Sequence, residues 1–415
     1  MTTHPVPLPR RPAQDQPGAG RRVLVAHPSA ELYGSDRVLL ESVLALRSAG
    51  WQVHVALSDE GPLRALIEAS GATVVRAGVP VVRKALLSPV GLVRFAVDLM
   101  RAAVPTVRLL RAVRPDVVYV NTVTVPAWIP LARLTGARVV CHVHEAEDDV
   151  PALVRVALAS PLLAAQAVVV NSRASLGVLT RALPMLRRRA SVVYNGVPGP
   201  GPDQVRPPRE QLTGRVRLAL VGRISPRKGT DVAVEALQRL VAEGVDAELA
   251  LAGNVFPGYE WFEQQVREQV ERAGLSDRVH WLGMLPEVWG CLADADIALV
   301  SSRVEPFGNA AVEALLAQRP VVAGDTQGLR EIVTPGVNGL LCLPGDAASL
   351  AAAIHQTITD WPAARSAAGP AREAAEQRFG VARYRADIIS TLARLAPRGA
   401  RPTRRIPFRS KENHR

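Results

Sequence analysis

Short runs of apolar, β-branched residues alternate along the chain with longer stretches whose apolar positions recur at helical spacing. That alternation predicts parallel sheets built from strand-helix-strand units. In the first half the predicted strands are 22–28, 51–57, 72–77, 116–121, 137–143, 167–172 and 191–197, with helices over 36–48, 62–70, 90–112, 151–164 and 173–183. The strands are apolar at successive positions, as in DVVYVN at 116–121, so both faces of the sheet are expected to be covered by helices. Residues 198–209, PGPGPDQVRPPR, are too rich in Pro and Gly for an element interior and read as a linker. The pattern then restarts with strands at 215–222, 247–253, 278–283, 296–302, 320–324 and 338–344 and helices at 230–243, 260–273, 308–317 and 346–358, while 371–396 reads as one or two terminal helices.

The expected fold class is therefore α/β, with two Rossmann-like, doubly wound parallel-sheet domains facing across a cleft. Residues 21–197 would form the first domain, 198–209 the linker and 210–375 the second; 376–396 would be a terminal helix packing back on the first domain, and 1–20 and 397–415 disordered basic tails. A length of 415 residues suits two domains, and 48% hydrophobic against 21% charged residues excludes a wholly disordered chain.

The net charge of +12 changes meaning once it is located. Four arginines against one aspartate in 1–22 and seven basic residues against Glu412 in 398–415 leave only +3 for the body. With aromatics at 4%, this argues against nucleic acid as a partner. Cys141, Cys291 and Cys342 lie too far apart for a metal-ligand spacing or a disulfide framework, and the first twenty residues lack an apolar secretory core. The expected location is the cytoplasm. Residues 81–114 set Arg83, Lys84, Arg94, Arg101, Arg108, Arg111 and Arg114 against Asp98 among Leu, Val and Phe. Such a helix can lie on an anionic leaflet, at the inner face of the plasma membrane with the basic tails assisting; the competing reading is a solvated face packed on a sheet.

Open sheets of this type bind ligands beyond the carboxyl ends of their strands. Two strand-to-helix segments there carry chemistry. In Val221-Gly222-Arg223-Ile224-Ser225-Pro226-Arg227-Lys228-Gly229-Thr230, Arg223, Lys228 and main-chain amides converge where a helix N-terminus favours a diphosphate; a solvated loop is the alternative. The order differs from a Walker A loop, and no GxGxxG follows a strand. In Ser302-Arg303-Val304-Glu305-Pro306-Phe307-Gly308-Asn309, Pro306 and Gly308 turn the backbone toward a ligand, and Glu313 follows roughly 7 Å of axial rise into the next helix. The two carboxylates could serve two parts of one polyhydroxylated ligand; otherwise Glu305 caps the helix and Glu313 pairs with a surface arginine. His142 and His144 end a strand on one face, but Glu147, Asp148 and Asp149 complete no recognisable zinc set, so no metal site is expected.

Taken jointly, Glu305-Pro306-Phe307-Gly308 with Glu313, Gly222-Arg223, Lys228-Gly229, Asn195-Gly196-Val197 and Tyr33-Gly34-Ser35-Asp36-Arg37 resemble retaining glycosyltransferase family 4, nucleotide-sugar-dependent enzymes of the GT-B fold. The resemblance covers nearly all of the chain outside its tails. It implies a donor-binding second domain and an acceptor-side first domain. It implies that Arg223 and Lys228 hold the donor diphosphate, with Gly222, Phe307, Gly308 and Asn309 around it, that Glu305 meets sugar hydroxyls and Glu313 the ribose, and that His144 lies beside the sugar with His142 beneath it. Tyr33-Gly34 departs from the family's Gly-Gly, leaving Gly34 to approach phosphate or acceptor; Asp36 and Arg37 face the acceptor or else open a helix. The implied reaction is transfer of a sugar from a nucleoside diphosphate to an acceptor hydroxyl of a glycan, glycolipid or small molecule, with retention and without a metal or other cofactor. The leaving phosphate helps take the acceptor proton. A nucleotide-sugar epimerase or hydrolase, and a non-catalytic sugar-nucleotide binding protein, are the alternatives.

Overall fold

The computed structural model describes residues 17–82, 89–148, 150–256 and 258–396. The expected tails, apart from 17–20, and Arg83, Lys84 and Asp149 lie outside them. The first series of elements is β1 (Arg22–His27), α1 (Gly34–Ser48), β2 (Gln52–Leu57), α2 (Pro62–Ala69), β3 (Thr73–Arg76), α3 (Pro89–Val113), β4 (Val117–Val120), α4 (Trp128–Leu134), β5 (Arg138–Val143), α5 (Ala152–Ala159), β6 (Ala167–Val170), α6 (Arg173–Ala182) and β7 (Ala190–Val192). Its strands make one sheet in the order β3-β2-β1-β4-β5-β6-β7.

The second series is β8 (Val216–Val221), α7 (Thr230–Ala242), β9 (Ala247–Ala252), α8 (Glu260–Arg272), β10 (Val279–Gly283), α9 (Trp289–Asp294), β11 (Ile297–Val300), α10 (Asn309–Leu316), β12 (Val321–Gly324), α11 (Leu329–Ile332), β13 (Gly339–Cys342), α12 (Ala347–Thr359), α13 (Trp361–Phe379) and α14 (Val381–Leu395). Its sheet runs β10-β9-β8-β11-β12-β13. Both sheets are parallel and doubly wound, as the pattern predicted. In each the strand order reverses beside the first strand, at β1/β4 and at β8/β11. Connections leave such a point in opposite directions and open a crevice at the strands' carboxyl ends.

By packing, the described residues fall into two compact units, one of 17–141 with 161–166 and 386–396, the other of 142–160 with 167–385. The first is centred on β1 and β4, where Val23, Leu24, Val25, Ala26 and all of Val117–Val120 are inaccessible to solvent. In the second, alternate residues of β11 serve opposite faces: Ile297 and Leu299 join the apolar layer of α7, α8 and α12, while Ala298 and Val300 join that of α10 and α13. The amino end of β11 is pinned by Asp296, wholly buried, which accepts from Arg209 at 2.5 and 2.7 Å and from the Arg217 amide at 2.8 Å. Arg319, 2% exposed nearby, donates to the carbonyls of Ala295, Ala317 and Arg206; burial pushes its guanidinium down to about 10.

The differences from the pattern have physical reasons. The short helices α4, α9 and α11, of 7, 6 and 4 residues, offer too few turns for a period to register. The helical region predicted from 371 begins at Trp361, because Pro362 occupies a first-turn position where no amide is needed and Pro370 is accommodated inside α13.

Candidate functional site

β8 and β11 are neighbours at the reversal of the second sheet, so the loops that leave them, 222–229 and 301–308, emerge side by side. Gly229 has φ 67°, and a Cβ there would lie 2.1 Å from the Ser301 carbonyl oxygen, so a side chain would separate the loops. The Ser301 hydroxyl donates to the carbonyls of Lys228 and Gly229 at 3.1 and 2.9 Å, and the Arg303 amide to the Arg227 carbonyl at 2.9 Å. The Arg303 side chain completes the join with two bonds to the Asp231 carboxylate, 2.8 and 2.7 Å, and one to the Pro226 carbonyl, 2.7 Å. A bidentate guanidinium-carboxylate pair fixes orientation as well as distance.

This join brings Lys228 and Glu305 together. Lys228 Nζ lies 2.5 Å from Glu305 Oε2, the oxygen that also accepts from the Ser302 hydroxyl at 3.2 Å. Burial pushes the Glu305 carboxyl up; the Lys228 ammonium, with Arg227 and Ser302, outweighs burial and holds it below the ordinary glutamate value. The Lys228 stem passes over Gly222, whose missing Cβ would sit 3.8 Å from its methylenes. Arg223 is exposed, its guanidinium 5.4 Å from the centre of the Phe256 ring.

Gly308, at φ 120°, turns the chain into α10, where a Cβ would meet Leu329 at 2.6 Å. Asn309 opens the helix and accepts from the Asn195 side chain at 2.9 Å; Glu313 is half-buried one turn on. Phe307 is 2% exposed, its ring 6.1 Å from Tyr194 and 5.7 Å from Phe379, so its side chain belongs to the core and its main chain is what it leaves to a ligand.

His142 and His144 do share a face, with ring centres 4.1 Å apart. His142 is wholly buried, and burial, followed by the neighbouring His144, pushes its imidazole well below the usual value. His144 is half-buried. Just beyond it, Glu147 pairs with Arg227 at 2.9 Å and the Ala146 carbonyl accepts from Gln327 at 2.8 Å. Gly34, in the other unit, is the first residue of α1. Asp36 there is taken up inside the fold, accepting from the Tyr33 amide at 2.9 Å and meeting His27 at 2.7 Å.

Residues 33–198 match the family described as Glycosyltransferase Family 4, and 205–374 match Glycosyl transferases group 1. The chain is 30% identical over 315 residues to 2-deoxystreptamine N-acetyl-D-glucosaminyltransferase of Streptomyces fradiae, covering 69% of this chain and 72% of that one. It belongs to glycosyltransferase family 4. A second family relative, glycogen synthase of Mycobacterium tuberculosis, is 35% identical over 189 residues, 44% of this chain; the chain spans less than half, 43%, of that relative's length. Among solved structures, Anabaena Alr3699/HepE in complex with UDP and glucose superposes with a TM-score of 0.76 at 25% identity, over 89% of this chain and 99% of that one. The architecture is that of the GT-B glycosyltransferases, as the resemblance implied.

Sequence reading singled out Lys228 and Glu305 but not what holds them in register. Arg303 and Asp231 are 72 positions apart, so their pairing leaves no local trace. The available signal was position: Arg303 follows a strand end, and Asp231 lies in the first turn of the neighbouring helix.

Proposed function

We propose that the protein transfers a sugar from a nucleoside diphosphate to an acceptor hydroxyl with retention at the anomeric carbon and without a metal ion. The observation that carries this reading is the Lys228–Glu305 pair, 2.5 Å apart where β8 and β11 diverge, beside the start of α10. A diphosphate needs cations and a helix N-terminus, a sugar needs hydroxyl acceptors, and these loops put both chemistries within one ligand's length. In this proposal 210–375 bind the donor and 21–197 the acceptor.

Lys228 and Arg223 take the diphosphate oxygens, together with the amides at Gly308 and Asn309, where the positive end of the α10 dipole lies. Glu305, kept ionised by Lys228, accepts from sugar hydroxyls, and Glu313 accepts from the ribose. Bond breaking leaves charge on the departing phosphate, and these cations and the helix dipole stabilise it more than they stabilise the intact donor. That phosphate oxygen then accepts the acceptor's proton as the hydroxyl attacks from the same face, so no side chain is needed as nucleophile. His144 lies beside the sugar in this scheme, and the neutral His142 supports it from within the core.

The reading is tested by incubating the protein in EDTA with UDP-, GDP-, TDP- and ADP-sugars and a panel of hydroxyl acceptors. Release of the nucleoside diphosphate and the anomeric configuration of the product are followed together. Acceptor-dependent release with retained configuration is expected, and melting temperature rises with the donor that binds. Inverted product, or turnover that returns only with manganese, would overturn the mechanism; equal release without acceptor would indicate a hydrolase.

A further inference from the structure

We propose that the outer face of α3 docks on an anionic lipid bilayer. α3 packs inward through Ala102, Thr106, Leu110 and Val113, each less than 9% exposed. Its opposite face carries Val90, Val93, Met100 and Val104 at 79, 66, 68 and 56% exposure, with half-buried Val97 completing spacings of three and four that place all five on one stripe. The stripe runs about 21 Å along the axis at 1.5 Å per residue. A soluble domain rarely leaves so regular an apolar row uncovered.

Charge identifies what covers it. Arg94, Arg101 and Arg108, all exposed, follow the apolar row at seven-residue intervals and line one edge of it. Within α3 the acid is Asp98, 3.7 Å from Arg101. A helix with an apolar stripe bordered by arginines lies in the plane of a membrane interface, with the stripe among the acyl chains and the guanidinium groups at the phosphates. Pairing with a second copy would cover the same stripe but bring two arginine rows toward each other, which favours the anionic surface as occupant. No helix among the described residues is long and apolar enough to cross a membrane, so the contact proposed is peripheral.

The test is co-sedimentation of the full chain with vesicles of phosphatidylcholine alone or mixed with phosphatidylglycerol. The wild type is expected to pellet with the mixed vesicles and to be released as salt is raised. Val93→Asp/Met100→Asp/Val104→Asp is expected to weaken this by at least about tenfold while melting like the wild type, and Arg94→Glu/Arg101→Glu/Arg108→Glu, which leaves the apolar row intact, is expected to do the same. The basic tails remain in every variant, so undiminished binding by either triple variant would overturn the proposal and assign the contact to the tails. Absence of wild-type binding to mixed vesicles at low salt would also overturn it. So would a concentration-dependent dimer, seen by light scattering, that the aspartates dissolve without any change in vesicle binding. The readout is binding, not turnover, so it stands or fails separately from the proposed reaction.

Discussion

β11 has a carboxylate beyond each end, Asp296 wholly buried and Glu305 partly so, and the fold surrounds the two differently. At the amino end, Asp296 meets Arg209 through both carboxylate oxygens and also takes the Arg217 amide. At the carboxyl end, Glu305 meets the flexible Lys228 ammonium and the Ser302 hydroxyl through one oxygen, on loops turned by glycines at positive φ. A guanidinium holding two oxygens is a fixed joint; an ammonium on a four-carbon stem can change partners. The first cluster locks a strand, and in the proposed function the second exchanges its internal contact for a ligand.

If that contrast holds, the two ends fail differently. Asp296→Ala takes the carboxylate from Arg209, which keeps the Thr213 and Arg215 carbonyls, and leaves the Arg217 amide without its acceptor; it is expected to cost about 3 kcal/mol in urea unfolding while the folded fraction keeps its turnover. Lys228→Ala is expected to reverse the pattern: sugar transfer falls about 10²–10³-fold, and the melting temperature falls by no more than about 4 °C. Wild-type turnover of Lys228→Ala at saturating donor would erase the distinction. Gly308→Ala, forced into a positive-φ turn against Leu329, is expected to lose about 1–3 kcal/mol, along with donor affinity. Arg303→Ala is expected to raise the donor KM about tenfold, with Arg303→Lys recovering only part because an ammonium cannot reproduce two parallel bonds.

The smallest expected effect is on pH dependence. Glu305 is held below its unfolded value, so the stability from its pairing is fully present above the ordinary glutamate range and is lost as pH falls through the folded value. Lys228→Ala should therefore flatten the acid limb of a stability-pH curve. An acid limb as steep as the wild type's would show that the stabilising interaction lies elsewhere.

The same contrast governs what the chain disclosed before its structure was known. β8 and β11 were legible because each carries four consecutive apolar residues, Leu218–Val221 and Ile297–Val300, too short a run for a helix and followed at once by a loop motif. Lys228 and Glu305 were legible as members of loop motifs, since glycine and proline mark where the backbone turns between strand and helix. Their 2.5 Å contact was not, and neither was the Arg303–Asp231 clamp, because nothing local ties residues more than seventy positions apart. Arg209 is the instructive miss: it lies in a segment whose Pro and Gly content says linker, yet it accounts for both oxygens of Asp296. Composition describes the backbone of such a segment and says little about one long side chain that reaches into the fold.

Under the proposed function, the ion pair between Lys228 and Glu305 also has a consequence for selectivity. An inorganic phosphate that claims the ammonium strands a carboxylate, and a free monosaccharide that claims the carboxylate leaves the ammonium idle. Only a molecule bringing an anion and hydroxyls on one framework satisfies both halves at once. The closed pair would thus act as a filter against free phosphate and free sugar, the fragments of the proposed donor, with no steric gate required.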